Sequence, residues 1–176
     1  MKNRSALAIL TIAASLCFSC NQKPSEEKEK SSAAETKAET ETQKTTSDLI
    51  FEKGKKTSAE KFVGNVYMNL LVPEDSVYTT KSGSVTFDAG SRTNWHYHPS
   101  GQILMVTNGV GFHQIEGQPK EVIKKGDVVK VPKNVKHWHG ASVEEDMTHV
   151  FVIPNVEMGG SKWFDPVTDE EFKNEV

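Results

Sequence analysis

From residue 48 onward, short apolar runs alternate with Gly, Pro, Asn and Asp. These runs predict strands over residues 65–72, 84–89, 102–107, 110–116, 121–124, 127–131, 137–141 and 148–153, at the spacing of an antiparallel sandwich or barrel. Alternation along them nominates Phe87, Leu104, Val106, Phe112, Val128, Val131, Val150 and Val152 as core. Asn108-Gly109 lies between two runs, and both residues tolerate positive φ, so the pair predicts a two-residue hairpin turn. Near the end, Thr168-Asp169-Glu170-Glu171 has capping-box spacing and predicts one short helix in which Phe172 packs. A folded part of roughly 120 residues suffices for one core.

The first third of the chain has a different character. Met1-Lys2-Asn3-Arg4 precedes an apolar run from Ala6 to Ala14, the pattern of a secretory signal, too short for a mature membrane span. Residues 21–47 are almost wholly Lys, Glu, Ser, Thr, Ala, Gln and Asn, with no aromatic or branched aliphatic side chain. Such a segment buries too little apolar area to offset its ordering entropy. The many Thr and Ser and the missing apolar stripe argue against a helix there. Around Cys20, with Ser19 before it and a polar segment after it, the sequence resembles a bacterial lipobox, although Cys17 stands where Leu is usual. That resemblance implies a signal over 1–19, an acylated Cys20 opening a tether over 20–47, and a folded domain over 48–176. The alternative is an ordinary signal with an incidental cysteine. With Cys20 acylated, no free thiol remains and no disulfide forms within the chain. The expected location is the cell envelope, with a lipid anchoring the protein to a membrane on its periplasmic or surface side.

The net charge of −3 comes from 21 basic and 24 acidic residues. Lys and Arg are not gathered around exposed aromatics, so nucleic acid is not expected as a partner.

The candidate chemistry lies in the histidines. Five of the six fall between positions 96 and 139, grouped as His96-x-His98 and His137-x-His139, and the sixth is His149. On a strand, residues two apart share a face, so each pair can present both imidazoles to one side. Neutral imidazole is the commonest protein metal ligand.

The residues around the pairs sharpen this. Gly90, His96-Tyr97-His98, Gln102 and Gly109 resemble the first cupin motif in their spacing, and Gly126, Pro132-Lys133-Asn134 and His137 resemble the second. The resemblance spans about residues 60–172 and implies an all-β fold, a single cupin jelly-roll β-barrel with a short C-terminal helix. It also implies a divalent metal on His96, His98, Gln102 and His137. Asn134 replaces the usual Gly of the second motif and also accepts a left-handed turn. Gln102 replaces the usual acidic ligand, and a neutral amide would leave the ion's charge uncompensated and the site more Lewis acidic. Gln102 could instead serve as a hydrogen-bond partner of a ligand.

The stretches Arg92 to His96, His137 to Ala141 and Met147 to His149, with Trp163 and Val167 to Glu170, are similar to small bacterial cupins. These include manganese-dependent hydroxynitrile lyases and cupins found beside carboxymuconolactone decarboxylase domains. The likeness implies manganese ahead of Fe, Co, Ni or Zn, a small-molecule substrate, and a homodimer. In this reading His139 and His149 are the candidate catalytic residues, moving a proton beside the ion. His139 could equally be a satisfied interior histidine. His113 is expected to be structural or exposed, Trp95 and Trp138 to wall the barrel, Thr93 and Tyr97 to pack or orient a substrate, and Arg92 to make a strand-edge ion pair. Fold does not settle reaction. An iron-dependent oxygenase and a metal or small-ligand binding module remain alternatives to the lyase.

Overall fold

The computed structural model describes residues 49–174. The expected signal, the acylated Cys20 and the tether lie outside them.

The chain forms β1 (Lys55–Lys56), β2 (Phe62–Val63), β3 (Val66–Val72), β4 (Thr80–Phe87), β5 (Arg92–Thr93) and β6 (His96–Tyr97). It continues with β7 (Gln102–Ile115), β8 (Glu121–Lys124), β9 (Val128–Val131), β10 (His137–Ala141), β11 (Met147–Pro154), β12 (Lys162–Trp163) and one short helix, α1 (Asp169–Lys173). All described pairings are antiparallel, and the main path runs β1-β3-β4-β11-β7-β10-β5-β2. The result is a curled all-β sheet, a half-barrel whose concave side collects inward-facing residues from β4, β7, β10 and β11.

The expected hairpin at Asn108-Gly109 is not formed. Strand β7 runs through it for 14 residues, its first half beside β9 and β11 and its second half beside β8 and β10. The physical reason is that the chain joining β8 to β9 tracks β7 continuously. Gly126 N donates to Val106 O at 2.9 Å and Lys125 N to Gly109 O at 3.1 Å, leaving these carbonyls committed within the sheet. The glycine signal marks a bulge instead. His149 pairs with Val106 and Thr148 with Asn108, so Thr107 is the extra residue. Gly109 has φ 72°, and a Cβ there would strike the Asp146 carbonyl.

Of the expected core residues, Phe87, Leu104, Val106 and Val131 are buried. Val128 is instead 58% exposed, while Val150 and Val152 are only half-buried. Strand β11 is apolar on both faces, so composition leaves its parity ambiguous. The inward series is Met147, His149 and Phe151. Phe112 packs on the convex side, in a second cluster of Trp138, Val167 and Phe172 that Trp95 also joins.

Helix α1 covers that second cluster. Its capping box is formed, with Glu171 N donating to Thr168 Oγ1 at 3.1 Å and Thr168 N donating to Glu171 Oε2 at 2.7 Å. Arg92 makes its expected ion pair, with Asp169 at 2.8 Å, but from a buried position. Its guanidinium also donates to Val167 O through Nε and Nη2 and lies 4.5 Å from the Phe172 ring centroid. Lys120 Nζ donates to Phe172 O at 2.7 Å, so two cations hold the C-terminal segment to the sheet.

Gly140 lies where β10 meets β5, and a Cβ added there would come within 2.6 Å of Arg92 Cα and press on the Ser91 carbonyl. Gly140→Ala is therefore expected to cost about 1–3 kcal/mol by overpacking. A lowered denaturation midpoint with an unchanged denaturant slope would confirm a folded-state effect of this kind.

Candidate metal centre

All six histidines are buried. Strands β6 and β10 pair with His137 opposite His96, and the two rings lie 4.2 Å apart between centroids. His98 follows β6, its ring 5.1 Å from His96 and 5.9 Å from His137. The turn of the second motif fixes this edge. Asn134, in the left-handed conformation at φ 60°, donates its N–H to His98 O at 2.9 Å. Gln102 opens β7 and places Oε1 2.9 Å from His137 Nε2.

Backbone contacts orient the imidazoles. Nδ1 of His96 faces the Asn94 carbonyl at 3.0 Å, and Nδ1 of His137 faces that of Val135 at 3.0 Å. Each Nδ1 therefore carries its hydrogen and donates it, leaving Nε2 with a lone pair. In this state His137 Nε2 and Gln102 Oε1 are two acceptors facing one another, which is unfavourable until a cation lies between them. Their 2.9 Å separation is that of neighbouring ligands about an ion held at about 2.1 Å. His98 contacts Ser161 Oγ through Nδ1 at 3.0 Å, and its Nε2 is buried without a hydrogen-bond partner.

His139 enters the same cluster. Ligand atoms of His96, His137 and His139 all lie within 4.8 Å of one another, a group of three that could hold a divalent metal. His98, one of the three histidine ligands implied by the cupin motifs, is adjacent but outside that closest trio. Beyond His139 stands His149, with Nε2 3.2 Å from His139 Nδ1, so the two share one hydrogen. Nε2 of His139 is buried and unpartnered.

Burial sets the protonation state. Desolvation holds His98 down to about 4 and His137 and His149 to about 3. It holds His96 and His139 well below the ordinary histidine value, and neighbouring imidazoles add to the effect. At neutral pH the cluster is uncharged, which is the form that ligates metal.

The cluster opens on a cavity of about 530 Å³ with apolar walls from Phe62, Val85, Phe87, Phe151, Ile153 and Trp163. Trp163 stacks on His96 at 4.5 Å and 17° between planes, and Thr93 accepts from His139 N through Oγ1 at 3.2 Å. Thr93 thus packs against the site, as one of its expected roles required. Trp138 and Trp95 stand on the convex side with Phe172, so they back the wall and do not line the cavity.

His113, expected to be structural or exposed, is buried on the face shared with His139, its register partner. Its ring lies 5.7 Å from His137, and its Nδ1 lies 3.7 Å from Glu121 Oε2. Its buried position answers to β7 being one continuous strand. Sequence reasoning did not single out Ser161, because the loop carrying it returns to the site from 63 residues away.

The concave histidine cluster on a curled antiparallel sheet defines a cupin, and the family's Cupin domain profile matches residues 83–154. The chain belongs to the cupin family. Over 118 residues it is 40% identical to a protein named (R)-mandelonitrile lyase from Granulicella tundricola, covering 67% of this chain and 90% of that one. A cupin-like protein of Thermotoga maritima is 47% identical, with a TM-score of 0.71 over 72% of this chain and 96% of its own. A cupin-2 domain protein of Rhodospirillum rubrum shares the fold at 17% identity, with a TM-score of 0.53 over 67% and 75% of the two chains.

Proposed function

We propose that this protein is a lipid-anchored cupin metalloenzyme of the cell envelope, binding manganese through His96, His98, Gln102 and His137 and cleaving a carbon–carbon bond in a small hydroxynitrile. The observation that carries the reading is the convergence of uncharged, oriented imidazoles at the base of an apolar cavity. The likeness over 118 residues to a protein named (R)-mandelonitrile lyase supports the reaction class. Acylation at Cys20 and pairing into a homodimer belong to the same proposal, supported by the lipobox resemblance and by family likeness.

A divalent ion at this site supplies a positive charge that polarises a substrate oxygen and stabilises an anion. The chain's own residues do the rest. Phe87, Phe151 and Trp163 exclude water around the substrate. The unpartnered Nε2 of His139 takes the hydroxyl proton, while the hydrogen between His139 Nδ1 and His149 Nε2 passes to His149. As the proton leaves, the C–CN bond breaks, its electron pair goes to cyanide and a C=O bond forms. The histidine pair then returns a proton to cyanide, so atoms and charge balance. The close trio of His96, His137 and His139 favours a second arrangement, in which His139 also ligates and His149 alone moves the proton.

The test is conversion of mandelonitrile to benzaldehyde and cyanide by manganese-loaded protein, run in air and under nitrogen. Equal rates are expected. Turnover that stops without oxygen, across a panel of small hydroxy compounds, would replace the lyase with an oxygenase. Tight metal binding without turnover on any of them would leave a binding module.

A further inference from the structure

At the end of the cavity away from the histidines stands a lysine that the reaction above does not use. Lys81 is on β4 opposite Ile153 of β11, in the alternating series Lys81, Gly83, Val85 and Phe87 that faces the concave side. It is half-buried, and among the described residues its ammonium makes neither a hydrogen bond nor an ion pair. The other charged residues of the lining are Lys61, whose Nζ lies 5.5 Å from the Trp163 ring centroid, and Glu74, which is exposed. The cavity lining thus carries two lysines against one carboxylate, and Lys61, over Trp163, lies toward the histidine end, where Trp163 stacks on His96. An ammonium with no counter-ion of its own is free to pair with an arriving anion, and a charge-assisted hydrogen bond to a carboxylate is among the stronger ones.

We infer that the cavity's substrates carry a carboxylate, received by Lys81 at the mouth while a hydroxyl or carbonyl group reaches the histidines. The register sets the length. His149 pairs with Val85, four residues along β4 from Lys81, a distance of about 13 Å at the usual strand rise. The lysine's four-carbon stem spans part of it, leaving room for one ring or a short chain. Phe87, Phe151, Ile153 and Trp163 make that spacer apolar. The class is a small hydroxy or carbonyl carboxylic acid with its two polar ends separated by an aromatic or aliphatic spacer. This rests on the cavity being the substrate site, and it adds the substrate's second polar end.

The experiment is calorimetric titration of the full chain in detergent, manganese-loaded and metal-free, with 4-(hydroxymethyl)benzoate and with benzyl alcohol, beside Lys81→Met. The wild type is expected to prefer the carboxylate by about tenfold. Lys81→Met is expected to lose that preference while keeping its metal content and its affinity for benzyl alcohol. A wild type with no preference overturns the inference, as does a variant that retains it, since the carboxylate is then held on the ion or by another residue. A Lys81-dependent preference in the metal-free chain upholds the subsite even if the metalloenzyme reading fails. A protein that binds manganese and cleaves mandelonitrile without that preference contradicts the subsite alone.

Discussion

Replacing His137 with alanine is expected to remove metal and activity together while leaving the sheet folded. His137 lies at the centre of the cluster, with Nε2 2.9 Å from Gln102 Oε1 and its ring 4.2 Å from His96. It belongs both to the ligand set implied by the cupin motifs and to the trio of closest imidazoles. Loss of a group that merely supports a metal ligand costs about 10–100-fold in affinity, and loss of a ligand itself should exceed that range. The pairing of β10 with β6 and β7 is main-chain and survives the substitution. Elemental analysis, together with an unchanged far-ultraviolet circular dichroism spectrum, checks this. A variant that retains stoichiometric metal would take His137 out of the centre.

His149→Ala is expected to do the opposite, keeping metal and losing turnover by about 10²–10⁴-fold, the usual worth of a positioned proton-transfer group. The imidazole of His149 reaches the cluster only through His139, at 3.2 Å, and its ring packs 5.6 Å from that of Phe87. Its removal takes away the acceptor of the His139 hydrogen without touching His96, His98, Gln102 or His137. The check is kcat and metal content on the same preparation. Full activity would assign the proton step elsewhere.

The gathering of histidines was legible in the sequence in so far as its geometry is local. His137 and His139 present their rings to one face by strand periodicity, His98 lies just past the end of β6, and the turn at Asn134 is left-handed as its residue type allows. Thr168 to Glu171 cap a helix as their spacing predicts. The failures are tertiary. Asn108-Gly109 carries a strong turn signal, yet the neighbouring chain on β7 holds it in line and converts it to a bulge. Val150 and Phe151 are both apolar neighbours on β11, and only packing decides which faces inward. Ser161 and the stacking of Trp163 on His96 depend on a C-terminal loop folding back across the cavity. Gln102 stands out in the sequence for its missing charge, but its approach to His137, 35 residues away, is a tertiary contact: Gln102 pairs with Val131 of β9, while β10 pairs with the far half of β7.

The central claim is that these imidazoles hold a divalent ion, and elemental analysis of untagged protein purified without added metal tests it most directly. The account predicts close to one equivalent of metal per chain, with manganese taken up in preference to iron, cobalt, nickel or zinc. A folded protein that stays empty even after reconstitution with manganese and iron would contradict it.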